Sequence, residues 1–118
     1  MRGHKLLASF SYALAGIVYA FISERNMRIH GLAAIATVSL GFILHLKRWE
    51  WGLLTITIFM VLVAEVINTA VETSINLITD SYHPLAKLAK NLAAGAVLLT
   101  AINALIMAGI IFGPYFLP

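Results

Sequence analysis

Apolar and polar positions in this chain fall into long blocks rather than a short alternating pattern. Three blocks are free, or nearly free, of charge. They are residues 31–46; residues 51–71, where Glu65 is the one acidic or basic side chain; and residues 92–116, where Asn103 is the one strongly polar side chain. A helix rising 1.5 Å per residue needs about 20 apolar residues to cross a hydrocarbon core of about 30 Å. The second and third blocks meet that length. The first is slightly short and reaches it by borrowing Met27 and Ile29 while Lys47 and Arg48 snorkel to the interface. Trp49, Trp51, Tyr115 and Phe116 fall at block ends, where aromatic belts belong. The pattern predicts three transmembrane helices.

A fourth stretch, residues 5–22, is apolar on nearly every face but carries Ser9, Ser11, Tyr12 and Tyr19. Those hydroxyls, and the short charged segment that follows, favour an amphipathic helix lying in the interface. A fourth span is the alternative. Residues 23–30 read as a turn. Residues 80–84 break the chain after the second span, and Pro84 suits the first turn of a new helix with His83 or Ser81 as its cap. Neither a repeat nor a linker is visible. The expectation is one all-α membrane domain over residues 1–118.

Composition agrees with this reading. Hydrophobic residues make up 61% of the chain and charged residues 11%, against about a quarter charged in soluble domains. The mean hydropathy is +0.93. Cysteine is absent, so there is no disulfide framework or thiolate metal site. After Phe21 the chain reads Ser23-Glu24-Arg25-Asn26 rather than a small-residue cleavage site, so a cleaved signal peptide is not expected. The net charge of +3 comes from side chains at block ends. Three spans put Arg2, Lys5, Arg25, Arg28, Lys87 and Lys90 on one side and Lys47 and Arg48 on the other. The positive-inside rule makes the first side, with the N-terminus, cytoplasmic and the C-terminus external. The charge suits lipid headgroups; no basic, aromatic face for nucleic acid exists outside the membrane edges.

Glu65 is the first candidate for chemistry. A carboxylate at mid-span costs about 3 kcal/mol even on mild scales, so it marks function by default; the alternative is a polar packing contact between helices. Glu65, Asn68, Glu72 and Asn76 are spaced by three, four and four. At 100° per residue, positions 65, 72 and 76 share an arc of about 40°, with 68 about 60° to one side. This makes one polar ladder running from the membrane toward the cytoplasm. Glu24 either pairs with Arg28 at i,i+4 or supplies, with Glu72, oxygen ligands to a divalent cation. Carboxylates without cysteine favour a hard ion such as Mg²⁺ over zinc. Lys87 and Lys90 serve topology and anionic lipid, and Lys90 is also a candidate phosphate partner. His83 is a cap or a phosphate donor. His4, His30 and His45 show no ligand spacing. With no glycine-rich phosphate loop present, the residues alone reach a carboxylate and amide site, not a substrate.

The run from Glu65 to Glu72, Glu-Val-Ile-Asn-Thr-Ala-Val-Glu, resembles the signature of the bacterial diacylglycerol kinase and undecaprenol kinase family. So do the segment from Glu24 to His30 and the segment from His83 to Lys90, followed by Ala-Ala-Gly-Ala-Val. The likeness covers residues 12–112. It implies a homotrimer of three-span subunits with an N-terminal surface helix and active sites shared between protomers. It implies ATP- and Mg²⁺-dependent phosphorylation of a lipid alcohol. Glu65 is then the general base, Glu24 and Glu72 hold Mg²⁺, and Asn68 orients the γ-phosphate or the carboxylates. Tyr12, Asn76, Tyr82, His83, Lys90 and Asn91 are then in the nucleotide region. The Arg-Asn after Glu24 and the His-Pro-Leu-Ala-Lys run resemble the Gram-positive branch, which favours undecaprenol, with diacylglycerol as the alternative. Asn76 and Asn91 stand where the family usually has aspartate. That departure keeps open a weak or binding-only relative, and a purely structural subunit is a third reading.

Overall fold

The computed structural model describes residues 2–117, except for the side chain of Arg2, whose charge entered the topological count above. The chain forms α1 (Arg2–Ser23), α2 (Arg25–Leu44), α3 (Arg48–Ile78) and α4 (Pro84–Phe116). All four are long and apolar enough to cross a membrane, α1 included. The all-α membrane class is as expected, but length and hydropathy alone do not set α1 apart. Nor do its serines. Ser9 donates to the Lys5 carbonyl (2.9 Å) and Ser23 to the Tyr19 carbonyl (2.8 Å). Thr57, Thr69 and Thr100 do the same within α3 and α4, at 2.7 to 3.0 Å. A hydroxyl bonded inside its own helix escapes most of the penalty of burial in an apolar medium.

The expected turn over residues 23–30 is not a turn. Helix resumes at Arg25, and Glu24 alone is extended (φ −106°, ψ 117°). Arg28 does not pair with Glu24. Its guanidinium Nη1 donates to the carbonyls of Phe21 (3.1 Å) and Ile22 (2.6 Å). A side chain from the next helix thus serves the orphan carbonyls at the end of α1.

The other end of α2 closes as a Schellman motif. The Leu46 N–H donates to the Gly41 carbonyl (3.1 Å) and the His45 N–H to the Phe42 carbonyl (3.4 Å), with His45 left-handed at φ 57°. Leu46 folds back on Gly41, and the Trp51 ring closes over the same spot. A Cβ at Gly41 would lie 2.7 Å from the indole and 2.9 Å from Leu46. Glu50 accepts from the Lys47 N–H (2.9 Å), satisfying the first turn of α3 from its third position. It also accepts from the Tyr115 hydroxyl at the far end of α4, so this buried carboxylate ties both ends of the antiparallel α3–α4 hairpin. Leu46, Leu54, Ile111 and Phe112 form the buried core beside it. The sequence reading took Tyr115 only for a belt residue and passed over Glu50.

That core is small. The accessible surface is 8696 Å², against roughly 6300 Å² for a compact soluble protein of this mass. Phe10, Ile35, Phe59 and Leu105 are among the large apolar side chains left exposed. The α3–α4 pair makes the most extensive helix contact, α2 packs on α3, and α1 meets mainly α2. A single chain therefore buries too little to stand in water, and lipid or further protein must cover the rest.

The crowding at Gly41 gives a test. Alanine gains about 0.5–1 kcal/mol of helix propensity, but overpacking against two side chains costs about 1–3 kcal/mol. Gly41→Ala is expected to lower the unfolding midpoint in detergent. A raised midpoint would mean that the indole simply moves aside.

Candidate active site

The polar ladder of α3 lies on one face as the spacing predicts, and burial falls along it. Glu65 is 1% exposed and Asn68 7%; Glu72 is half-buried and Asn76 exposed. Asn68 Nδ2 donates to Glu72 Oε1 at 3.3 Å. The Thr69 hydroxyl goes to the Glu65 backbone carbonyl, not to its carboxylate. Among the described residues, two buried acceptors then remain without a partner, Glu65 Oε2 and Asn68 Oδ1. Each such group costs about 1–3 kcal/mol, and more if charged. Orphan acceptors one helical turn apart are suited to receive a proton donor or a cation from outside the chain.

The groups acting on Glu65 come from three places: His30 and Asn26 on α2, Glu24 at the α1–α2 joint, and Glu72 further along α3. The structure thus brings Glu24, Glu65, Asn68 and Glu72 into one neighbourhood. Among the described residues, no three acidic, histidine or cysteine side chains form a ready-made metal cage. The donors on offer are nevertheless all oxygen, two of them orphaned. That set fits Mg²⁺, which takes one or two carboxylates and completes its shell with water and substrate phosphates. Asn26 and His30 were missed in the sequence because residues 23–30 were read as a turn. On a helix they sit one turn apart on the side facing α3, a relation visible only once α2 begins at Arg25.

A second group surrounds the α3–α4 loop. Tyr82, His83, Lys90 and Asn91, with Asp80 and Lys87, line a cavity of about 280 Å³. His83 caps α4 as expected: its Nδ1 accepts from the Leu85 N–H (3.1 Å), ahead of Pro84 in the first turn. With Nδ1 so engaged, only Nε2 is left to meet a ligand. Lys90 Nζ donates to Asn76 Oδ1 at 2.7 Å. Asparagine at 76 thus supplies an acceptor but no charge to neutralise the ammonium. Asn76 shares a helix face with Glu72 and a bond with Lys90, so it joins the two groups. Tyr12 is in neither. It lines a separate cleft between α1 and α3, with Gly16, Thr69 and Thr73.

Comparison with known proteins agrees with the motif reading. The sequence profile of the prokaryotic diacylglycerol kinase family matches residues 11–112. The chain is 46% identical over 110 residues to a diacylglycerol kinase of Synechocystis, covering 92% of this chain but only 63% of that protein. It is 40% identical over 111 residues to the undecaprenol kinase of Bacillus subtilis, covering 94% of this chain and 90% of that protein. It is 28% identical over 102 residues to the diacylglycerol kinase of Escherichia coli K12, covering 86% and 84%.

The orphaned oxygen of Glu65 has a consequence for stability. Replacing a buried, unpartnered polar group by an apolar one of similar size is neutral or stabilising. Glu65→Met is expected to raise the unfolding midpoint in detergent by the equivalent of about 1–3 kcal/mol. A fall of that size would show that Glu65 has a structural partner in the assembled protein and is no free acceptor.

Proposed function

The chain belongs to the prokaryotic diacylglycerol kinase family, and on that footing we propose that it transfers the γ-phosphoryl group of ATP to a membrane lipid alcohol, undecaprenol. The buried, unpartnered Oε2 of Glu65 beside Asn68 carries the reading, because it is a proton acceptor held at lipid depth with nothing else to accept. In the transfer, the lipid hydroxyl oxygen bonds the γ-phosphorus as the bond from that phosphorus to the β,γ-bridging oxygen breaks. ADP leaves with the bridging oxygen, and the hydroxyl proton passes to Glu65. Asn68 orients the Glu72 carboxylate through its amide, which supports a positioning role. Glu24 and Glu72 are the residues to hold Mg²⁺, which when bound neutralises charge on the phosphoryl oxygens.

Lys90, held toward the loop cavity by Asn76, is the phosphate partner in this reading. Tyr82, His83 Nε2 and Asn91 line the nucleotide. The intact Lys90–Asn76 bond favours a working enzyme over a binding-only relative, since the shape that aspartate would give is retained. Tyr12 lies apart from these residues within one chain, which fits sites completed by a neighbouring copy. The excess of exposed apolar surface supports the same homotrimeric arrangement.

In the membrane, α2, α3 and α4 are the spans and α1 lies in the interface. The extents of 54 × 44 × 20 Å support this, because a closed bundle of four such helices has no second dimension of 44 Å. The basic residues at the joint and around the α3–α4 loop favour a cytoplasmic site in the cell membrane. Undecaprenol is preferred over diacylglycerol because correspondence with the Bacillus enzyme runs through 90% of its length. The motif runs at Glu24 and His83 favour the same lipid.

Phosphate transfer from labelled ATP in mixed micelles tests the reading, with each lipid offered separately, with Mg²⁺ and with chelator. Labelled undecaprenol is expected, and Glu65→Gln and Glu72→Gln should lower turnover by about 10²–10⁴-fold. Labelling of diacylglycerol alone would overturn the lipid but keep the chemistry. Normal turnover in either variant would overturn the site.

A further inference from the structure

The break between α1 and α2 has no local cause. Residues 22–26 read Ile-Ser-Glu-Arg-Asn, without proline or glycine, and each of these residue types is tolerated inside a helix. A continuous helix would need the Arg25 N–H to bond the Phe21 carbonyl and the Asn26 N–H to bond the Ile22 carbonyl, by the i→i−4 rule. Those two carbonyls are the ones that Arg28 Nη1 occupies, at 3.1 and 2.6 Å. The guanidinium therefore competes for the two acceptors that would carry helix across the joint.

Two further carbonyls just before the break are occupied as well. Tyr19 accepts from the Ser23 hydroxyl (2.8 Å) and Ala20 from the Glu24 N–H (2.9 Å). The Phe21 ring packs over Gly31 so closely that a Cβ there would meet Cε1 at 2.9 Å. Ala20 and Met27, on either side of the break, are each 1% exposed. The joint is thus capped and packed, and Glu24 is its single extended residue. Glu24 is also one of the groups that act on Glu65. Rotating residue 24 into helical dihedrals would swing its side chain and re-aim all of α1.

We infer that Arg28 is a positioning residue: its side chain holds the α1–α2 break open, with Gly31 seating Phe21, and so keeps the Glu24 carboxylate in the neighbourhood of Glu65. The inference rests on the proposed reading of Glu24 as a cation ligand. Arg28 itself touches no reacting atom in this account. It acts by denying two backbone acceptors to a competing helix.

Amide hydrogen exchange on the full-length protein in detergent micelles tests the break directly. In Arg28→Ala, the amides of Arg25 and Asn26 are expected to exchange at least tenfold more slowly, as they gain helical partners. Arg28→Lys, which keeps a donor within reach, should stay near the parent rate and covers the case in which the alanine variant does not fold. Unchanged or faster exchange at both amides in Arg28→Ala would overturn the inference. The second arm is a Mg²⁺ titration of turnover. Arg28→Ala should raise the Mg²⁺ concentration at half-activity about tenfold, and in a Glu24→Gln background it should change nothing further. Fully additive losses would mean that Arg28 does not act through Glu24. Full activity of Glu24→Gln alone would instead remove the ligand reading, while the exchange result still decides whether Arg28 holds the break.

Discussion

Placing Glu65 in the apolar length of α3 costs several kcal/mol even after side-chain relaxation, and much of the polar architecture follows from that cost. The carboxylate is closed in on the α2 side by Asn26 and His30 and along α3 by Asn68 and Glu72. Hydroxyls that lie nearby are turned back onto their own helices, so Thr69 does not quench it. What remains, among the described residues, is one buried carboxylate oxygen, Oε2, with no partner of its own. Such a group is poor for stability and good for taking a proton, which is the usual trade at a reaction site.

The rest of the fold supplies stiffness at the opposite end. Glu50, Lys47 and Tyr115 lock the start of α3 to the end of α4, and the Schellman turn with Gly41, Leu46 and Trp51 locks α2 to α3. The two ends use the same residue type in opposite ways. Glu50 is buried and satisfied and acts as a clamp. Glu65 is buried with its Oε2 unpartnered and, in the proposed reaction, takes a proton. Their difference lies in donors, not in depth.

Much of this was legible in the sequence. Charge-free blocks of this length predicted the apolar helices because a lone segment in hydrocarbon must bond its backbone within itself, and the three-four-four spacing predicted the ladder because a helix face repeats at that interval. Pro84 after His83 gave the start of α4 together with its cap. The joint was not legible, since the guanidinium bonded to the Phe21 and Ile22 carbonyls comes from a residue seven and six positions further on and leaves no local mark at Glu24. Asn26 and His30 were lost with it. Glu50 was hidden for a similar reason: its partner Tyr115 lies 65 residues away, and only the closed hairpin brings them together. Of the hydroxyls that favoured an interfacial α1, Ser9 carries less weight because the Lys5 carbonyl already accepts from it.

The helix lengths carry one more implication. At 31 and 33 residues, α3 and α4 rise about 46 and 50 Å, well beyond a hydrocarbon thickness of about 30 Å. In the proposed membrane placement the clamped end lies at one interface, so the height of Glu65 relative to the other is set by the bilayer and not by the protein. A thicker membrane drowns the carboxylate among acyl chains, and a thinner one lifts it into the headgroups. Hydrophobic mismatch thereby becomes a variable of the proposed chemistry: under that reading, the lipid composition around the protein sets where the lipid hydroxyl and Glu65 meet.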